Sequence, residues 1–562
     1  MTDGIYDLES VKLPKVGGRG LAAFVAALEG PLSGALTGSL LKNAGVTAFR
    51  EVLFEEEPTW RPAFGSAAVA GPERPDPSAL LAGEAPEGPG EPAVTVRRLG
   101  AAYRAGRTDP VAVAGRVLEA IAASDAVGNR PLRAFVAVDR DEVMRQAEAA
   151  AERIRRGEPI GPLDGVPVAV KDEVDMTPYP TTVGTRFLGR EPAERDATVV
   201  ARLRAAGAVL VGKTNMHEIG IQPTGFNPHH GQARNPHDRD RDTGGSSSGS
   251  AAAVAAGLCP VAVGADGGGS IRIPASFCGV VGLKPTYGRV SEAGAAPLCW
   301  SVAHLGPIGA TVEDVAVAYA VMAGPDPRDP GSLVQPPVGL PDPARESLEG
   351  VRVGIFRPWF EHAEAGVVET CRHAVGLLEA AGAVVRDVAV PELDTMRVAH
   401  AVTILSEMLA AMAPWYPERR KEFGLDSRVL LALARSFTAA DYVAAQRART
   451  RAIGDLLRVL GEVDLIATPT AAVPAPPVPA DPVRGESDTS TVVEIMRYAF
   501  PGNFTGLPAI SVPAGMTGGG LPVGLQLMGR PWDEALLLEA ARVVEAGTRR
   551  ARPTVWYDIL SG

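Results

Sequence analysis

Cysteine is scarce and does not pair by pattern. Cys259, Cys278, Cys299 and Cys371 form no C-x-x-C and keep no regular spacing in a chain of 562 residues. That usage fits a reducing compartment and excludes a disulfide scaffold. The eight histidines lack metal spacing as well. His229 and His230 are adjacent, and no His-Glu-x-x-His occurs, so no zinc site is expected. Positive charge is in deficit, with 55 Lys and Arg against 66 Asp and Glu and a formal net charge of −11. A general nucleic-acid partner is therefore not expected. Residues 1–15 lack the basic-then-apolar order of a secretory leader. Two uncharged runs, 243–265 and 498–529, have the length of a bilayer span but not its content. The first opens with glycines and serines and carries Pro260; the second is broken by Pro501, Pro508, Pro513, Pro522 and Gly518–Gly520. Both read as buried, small-residue segments of a soluble protein, expected in the cytoplasm.

What is abundant points to a large folded body. Apolar residues make up 46% and charged residues 22%, ordinary for a globular protein. The length suits about three to four domains, or one large α/β domain with attachments. The 63 glycines and 49 prolines call for many turns and long loops.

The chain divides into three parts. Residues 1–69 read as a helical attachment, in which Leu21, Phe24, Val25, Leu28, Leu32 and Leu36 recur at helical spacing around Pro31. Two short helices packed on the body account for this pattern; a flap over a pocket or a peripheral membrane contact is the sharper alternative. Residues 70–93, rich in Pro, Gly, Glu and Ala, read as a linker. Residues 94–562 alternate strands and helices, which points to an α/β sheet. Asp109-Pro110 opens a helix carrying the stripe Val113, Val117 and Ile121, and a second helix runs from Arg140 to Arg156, stopped by Gly157. Val166–Val170 is a short apolar strand that delivers Lys171 at its end. Asp196 is expected to cap a helix 197–206, with a strand at Val209–Val211. Thr311-x-x-Asp314 resembles a capping box. Further strands are expected at 351–356, 383–390, 463–467 and 509–512.

The densest chemical signal is Gly244-Gly245-Ser246-Ser247-Ser248-Gly249-Ser250 followed by Asp266-Gly267-Gly268-Gly269-Ser270-Ile271-Arg272. Three readings compete for it. A nucleophile elbow matches Gly245–Gly249 but needs a preceding strand, and residues 236–242 are too charged for one. A phosphate cradle fails at Arg272, where the spacing from Gly267 requires glycine. The formal P-loop at Gly207–Thr214 places a strand where the loop should curl. The third reading is an oxyanion hole: glycine amides aimed at one spot, with Ser270 as nucleophile and Lys171 with a serine near 246 as a proton relay. A strand-end lysine is usually a solvated charge, and neighbouring serines usually make a turn, so spacing alone does not decide.

The longer pattern does. Gly244–Ser250 with Ala251–Gly257, then Asp266–Pro274, then Cys278-Gly279-Val280-Val281-Gly282-Leu283-Lys284-Pro285-Thr286 resembles the amidase signature. Leu163–Pro167 before Lys171-Asp172, Gly212–Glu218 and Gly520–Gly529 support it. Together the likeness spans about residues 95–560. Within that family the chain is most similar to plant-type fatty acid amide hydrolases. The segments carrying this are Glu56–Phe64, Lys171–Asp175, glycine directly after Asp266, and Ser436–Tyr442. Residues 70–93 and 292–303 do not match.

The resemblance implies a mixed central β-sheet covered by helices on both faces. It assigns Ser270 as the acyl-accepting nucleophile, Ser246 as the bridging serine and Lys171 as the base. Gly267, Gly268, Gly269 and Ser270 supply the oxyanion amides. For a lysine to act as base it must be uncharged, which burial favours. No metal or organic cofactor is implied. Cys278 reads as a core thiol, Arg272 as a brace for Asp266, and His217 and Glu218 as structural hydrogen-bonders. The implied substrate is a hydrophobic fatty-acyl amide of the N-acylethanolamine kind, and the implied assembly is a homodimer. An amidase for aryl or small amides is the alternative, and the glutaminase component of an amidotransferase is a more distant one. The stripe Leu405, Met408, Leu409, Met412, Trp415, Tyr416 reads as core or as an acyl channel.

Overall fold

Runs rich in small and β-branched apolar residues make the strands of one eleven-stranded sheet in the computed structural model. It describes residues 5–11, 15–31, 33–65, 71, 75–82, 94–128 and 130–561. The spatial order of strands is Phe135–Ala137, Val209–Thr214, Pro167–Lys171, Val261–Ala265, Leu305–Gly309, Val281–Lys284, Ala509–Met516, Pro522–Gly529, Leu465–Pro469, Arg352–Ile355 and Val384–Asp387. Parallel and antiparallel pairs mix. Side chains alternate between two cores: Leu465 and Ala467 join one, Ile466 the other. Both faces are therefore buried, as a strand with apolar residues at every position requires. This is the α/β sheet with helices around it that the strand–helix rhythm predicts.

Several local expectations hold. Asp109 caps Pro110–Asp125 by accepting from the Ala112 N–H, and Arg140–Arg156 ends at Gly157 in the left-handed region. Thr311 and Asp314 form a reciprocal capping box on Val312–Met322. Others need correction. Asp196 does not cap the helix Thr198–Ala205; its carboxylate accepts instead from Thr177 N–H and Oγ1 and from Arg204. A cation and two donors outcompete a capping bond. The strand begun at Val209 runs on to Thr214, and Pro522–Gly529, not expected as a strand, lies inside the sheet.

At the amino end, Gly18–Leu28 buries Leu21, Val25 and Leu28 beside Val429, while Ser33–Asn43 buries no residue fully. Leu32 and most of the stretch read as a linker lie outside the described residues. Within that stretch Pro77–Leu81 forms a short helical turn, held by Arg97 through the carbonyls of Leu80 and Leu81. No single helix among the described residues is long and apolar enough to cross a membrane. The run 243–265 is buried throughout; the run 498–529 departs from the expectation at 515–517, which are half-buried, and at Gly518–Gly520, which are exposed where the chain turns between two strands.

What positions the site is the parallel pairing of Pro167–Lys171 with Val261–Ala265, which sets Val170 beside Val263. Both strands end on the same side, so Lys171 emerges next to the turn that carries Ser270.

Candidate active site

Lys171 is 1% exposed, sealed by the apolar strand that ends with it. Its Nζ donates to Ser246 Oγ at 2.8 Å and to the Ala265 carbonyl at 3.2 Å. The expected apolar surroundings stop at the amino group, because Glu173 Oε2 stands 3.1 Å from it.

Ser246 sits in the turn before the helix Ser248–Ala255. The turn is anchored by Asp242, whose Oδ1 accepts from the N–H groups of Gly225 and Gly244 at 2.8 and 2.7 Å. Burial pushes Asp242 up to about 6 against those hydrogen bonds.

Ser270 closes the turn between Val261–Ala265 and the helix Arg272–Cys278. Gly269 has φ +120°, and a Cβ there would meet Ile273 Cδ1 at 2.4 Å and Ala499 Cβ at 2.7 Å, so only glycine fits. Asp266 organises the turn from below. Its carboxylate accepts from Arg272 Nε at 3.0 Å and Nη2 at 3.1 Å, from Asn503 Nδ2 at 2.9 Å and from Ile271 N–H at 3.1 Å. Burial alone would raise Asp266, but the charges of Arg272 and Lys284 and these hydrogen bonds outweigh it and hold the carboxyl below its usual range. Arg272 thus braces Asp266, as expected.

The four predicted amides are not equivalent. Gly269 N–H donates to Asp266 Oδ1 at 2.6 Å and is not free for an oxyanion; a charge-assisted bond to an anchored carboxylate holds it. The N–H groups of Gly267, Gly268 and Ser270 have no acceptor among the described residues. Ser270 Oγ makes no hydrogen bond to a described residue either, so the link from Ser246 to Ser270 is open. Both serines line one cavity with Lys171, Gly267 and Gly268.

That cavity measures about 300 Å³. Its lining mixes apolar residues, among them Ile221, Leu298, Ile404, Met408 and Met496, with polar ones such as Arg61, Glu173, Tyr287, Glu292 and Asp329. Burial and then the nearby Asp329 push the Glu292 carboxyl well up. Glu292, Leu298, Cys299 and Trp300 come from the stretch 292–303, for which the sequence offered no match. Of the stripe at 405–416 only Met408 reaches the cavity. Leu405, Met412 and Tyr416 are core, and Trp415 is exposed. Cys278 is buried. His217 bonds Asp426 at 2.9 Å, and Glu218 bonds His229 at 2.6 Å and the Gly424 N–H at 2.8 Å, so both serve structure. Glu173 is the residue that sequence reasoning passed over, although it stands two positions after Lys171, where a period of two returns to the same side.

Known proteins resemble this chain in sequence and in fold. A family model described as "Amidase" matches residues 116–538. A fatty acid amide hydrolase of Oryza sativa subsp. indica is 39% identical, across 99% of this chain and 96% of its own. A glutamyl-tRNA(Gln) amidotransferase component of Chloroflexus aurantiacus is 38% identical but spans only 82% of this chain, with 99% of its own length covered. Among solved structures, native peptide amidase from Stenotrophomonas maltophilia superposes with a TM-score of 0.71 at 32% identity, across 82% of this chain and 98% of that one.

Proposed function

Because the chain belongs to the amidase signature family and hydrolyses amide bonds, we propose that Ser270, Ser246 and Lys171 carry the reaction and that the substrate is a fatty-acyl amide. Ser270 Oγ attacks the acyl carbon. Its proton passes to Ser246 Oγ, whose own proton passes to Lys171 Nζ. The negative charge that grows on the carbonyl oxygen meets the N–H groups of Gly267, Gly268 and Ser270. The tetrahedral species then expels the amine, which takes the proton back along the same path. Water hydrolyses the acyl–Ser270 ester to the free acid.

The observation that carries this reading is the buried 2.8 Å contact from Lys171 Nζ to Ser246 Oγ, beside a turn with three unused amides. A neutral amine keeps two N–H groups. When both are donated to Ala265 O and Glu173 Oε2, the lone pair turns to Ser246 and the bond between them reverses, with Ser246 Oγ donating to Nζ. The link from Ser246 to Ser270 is open here, and catalytic contacts commonly tighten once substrate enters.

Two observations support a fatty-acyl substrate. The cavity lining includes the apolar Ile221, Leu298 and Ile404 and the adaptable Met408 and Met496. The likeness to the rice hydrolase also covers 99% of the chain, the amino-terminal attachment with it, against 82% for the amidotransferase component. The decisive test is intact-mass labelling with a long-chain fluorophosphonate: one adduct on the wild type and none on Ser270→Ala. An adduct that survives the substitution refutes the assignment. A hydrolysis panel graded by acyl length checks the substrate, and faster turnover of short or aryl amides overturns the fatty-acyl part.

A further inference from the structure

The turn Asp266–Ser270 contains three successive glycines, whose peptide planes are free to flip unless something outside the turn holds them. In a planar trans peptide the C=O and the following N–H point in opposite directions. Whatever binds the carbonyl from behind therefore aims the amide in front. The Asp266 carbonyl accepts from Asn503 Nδ2 at 2.6 Å, and the Gly267 carbonyl accepts from His400 Nε2 at 2.8 Å. These two peptides carry the N–H groups of Gly267 and Gly268, two of the three that remain unused.

We propose that His400, on the helix Leu393–Met412, is a positioning residue for oxyanion stabilisation: its hydrogen bond to the Gly267 carbonyl turns the Gly268 N–H toward the acyl oxygen. The inference rests on the reading of Ser270 as nucleophile.

The surroundings fit a fixed donor. A carbonyl only accepts, so the proton must sit on Nε2. Burial pushes the His400 imidazole down to about 4, which keeps it neutral and in that one tautomer. The rings of Phe500 and Phe504 flank it, each 6.4 Å away between centroids. A Cβ on Gly268 would lie 3.0 Å from His400 Cε1 and 2.9 Å from Met496 Cε, so the imidazole packs directly against the turn. His400, Ile404 and Met408 follow at intervals of four on one helix face. The face that brings Ile404 and Met408 to the cavity thus also holds the turn. Asn503 does the same for Gly267, but it also binds Arg272, the Asp266 carboxylate and the Val302 carbonyl. His400 has the Gly267 carbonyl as its one side-chain hydrogen-bond partner among the described residues, which makes it the cleaner subject.

The test compares wild type, His400→Phe and His400→Gln. The substrate is a lauroyl amide, with a lauroyl-chain trifluoromethyl ketone as the tetrahedral mimic and lauric acid as a ground-state ligand. Loss of an oxyanion donor costs about 10²–10³-fold in kcat, so misaiming one should cost about 10–100-fold. We expect that loss in His400→Phe with KM unchanged. Inhibition by the ketone weakens by the same factor, lauric acid inhibition is unaltered, and His400→Gln recovers most of the rate. Wild-type kcat in His400→Phe overturns the inference, as does equal weakening of ketone and acid, which marks a structural role. His400→Leu replaces His400→Phe if the latter does not fold. Fluorophosphonate labelling of the wild type separates the two levels: an adduct on Ser270 with an unaffected His400 variant defeats this inference alone, whereas an adduct elsewhere defeats the reading beneath it.

Discussion

Glu173 Oε2 lies 3.1 Å from Lys171 Nζ, and both side chains are buried beside the cavity. The carboxylate gives one N–H of Lys171 an acceptor and so helps fix how the amino group faces Ser246. Glu173→Gln keeps an acceptor at that place, whereas Glu173→Leu removes it. Glu173→Gln should therefore retain kcat/KM to within roughly tenfold and Glu173→Leu should lose more, since a hydrogen bond to a charged group contributes about 1.5–3 kcal/mol. Equal rates in Glu173→Leu and the wild type, measured with the same amide, would show that this contact does not orient Lys171.

Arg272 and Asp266 make a buried bidentate pair under the same turn. Arg272→Met leaves the Asp266 carboxylate without its main counter-charge, and breaking such a pair from one side costs about 3–5 kcal/mol. The variant should unfold at clearly lower urea than the wild type and should lose activity, since Gly269 and Ile271 also hang on that carboxylate. Adding Asp266→Asn should restore part of the stability but not the rate. Stability unchanged in Arg272→Met would mean that Lys284 and Asn503 suffice.

Much of the frame was legible because its signals are local. Asp109-Pro110, Gly157 and the Thr311/Asp314 box each mark an end within one turn of helix, where backbone groups and caps meet without help from elsewhere. That Ser246, Ser270 and Lys171 meet at one cavity was legible through the longer family pattern, not through spacing alone. What failed was tertiary. Asp196 was drawn from its expected cap by Thr177 and Arg204, and Pro522–Gly529 was masked by proline and glycines that an interior strand accepts here. His400 and Asn503 lie 133 and 237 residues from the carbonyls they bind, with no local pattern to announce them. The free amide expected at Gly269 could not be told from its neighbours, since only folding shows which N–H faces Asp266.

Met408 and Ile404 line the cavity, so adding bulk there should shorten the acyl chain that fits. Each methylene excluded from an apolar site forfeits about 0.8 kcal/mol, near fourfold. Met408→Trp should lower kcat/KM for palmitoyl amides at least tenfold while butyryl amides change less than threefold. A uniform fall for both, in initial rates at matched enzyme concentration, would place the acyl chain on another wall.

Asp242 holds the turn of Ser246, and its raised value gives a stability signature with a definite sign. The folded state binds this proton more tightly than the unfolded chain, whose aspartates titrate near 3.9. Its contribution is therefore full below about pH 4, declines as the pH rises toward about 6, and stays lost above that. A shift of about two units corresponds to roughly 3 kcal/mol, and Asp242 is only 2% exposed, so solvent screens little of it. Asp242→Asn keeps an oxygen for the N–H groups of Gly225 and Gly244, and Gln232 Oε1, which has no partner among the described residues, can accept from the new amide. Urea midpoints measured from pH 4.5 to 8 should fall for the wild type across this window and stay flatter for the variant, which becomes the more stable of the two above pH 6. Parallel profiles would mean that the hydrogen bonds from Gly225 and Gly244 hold Asp242 ionised throughout, and that burial of its charge carries no net penalty.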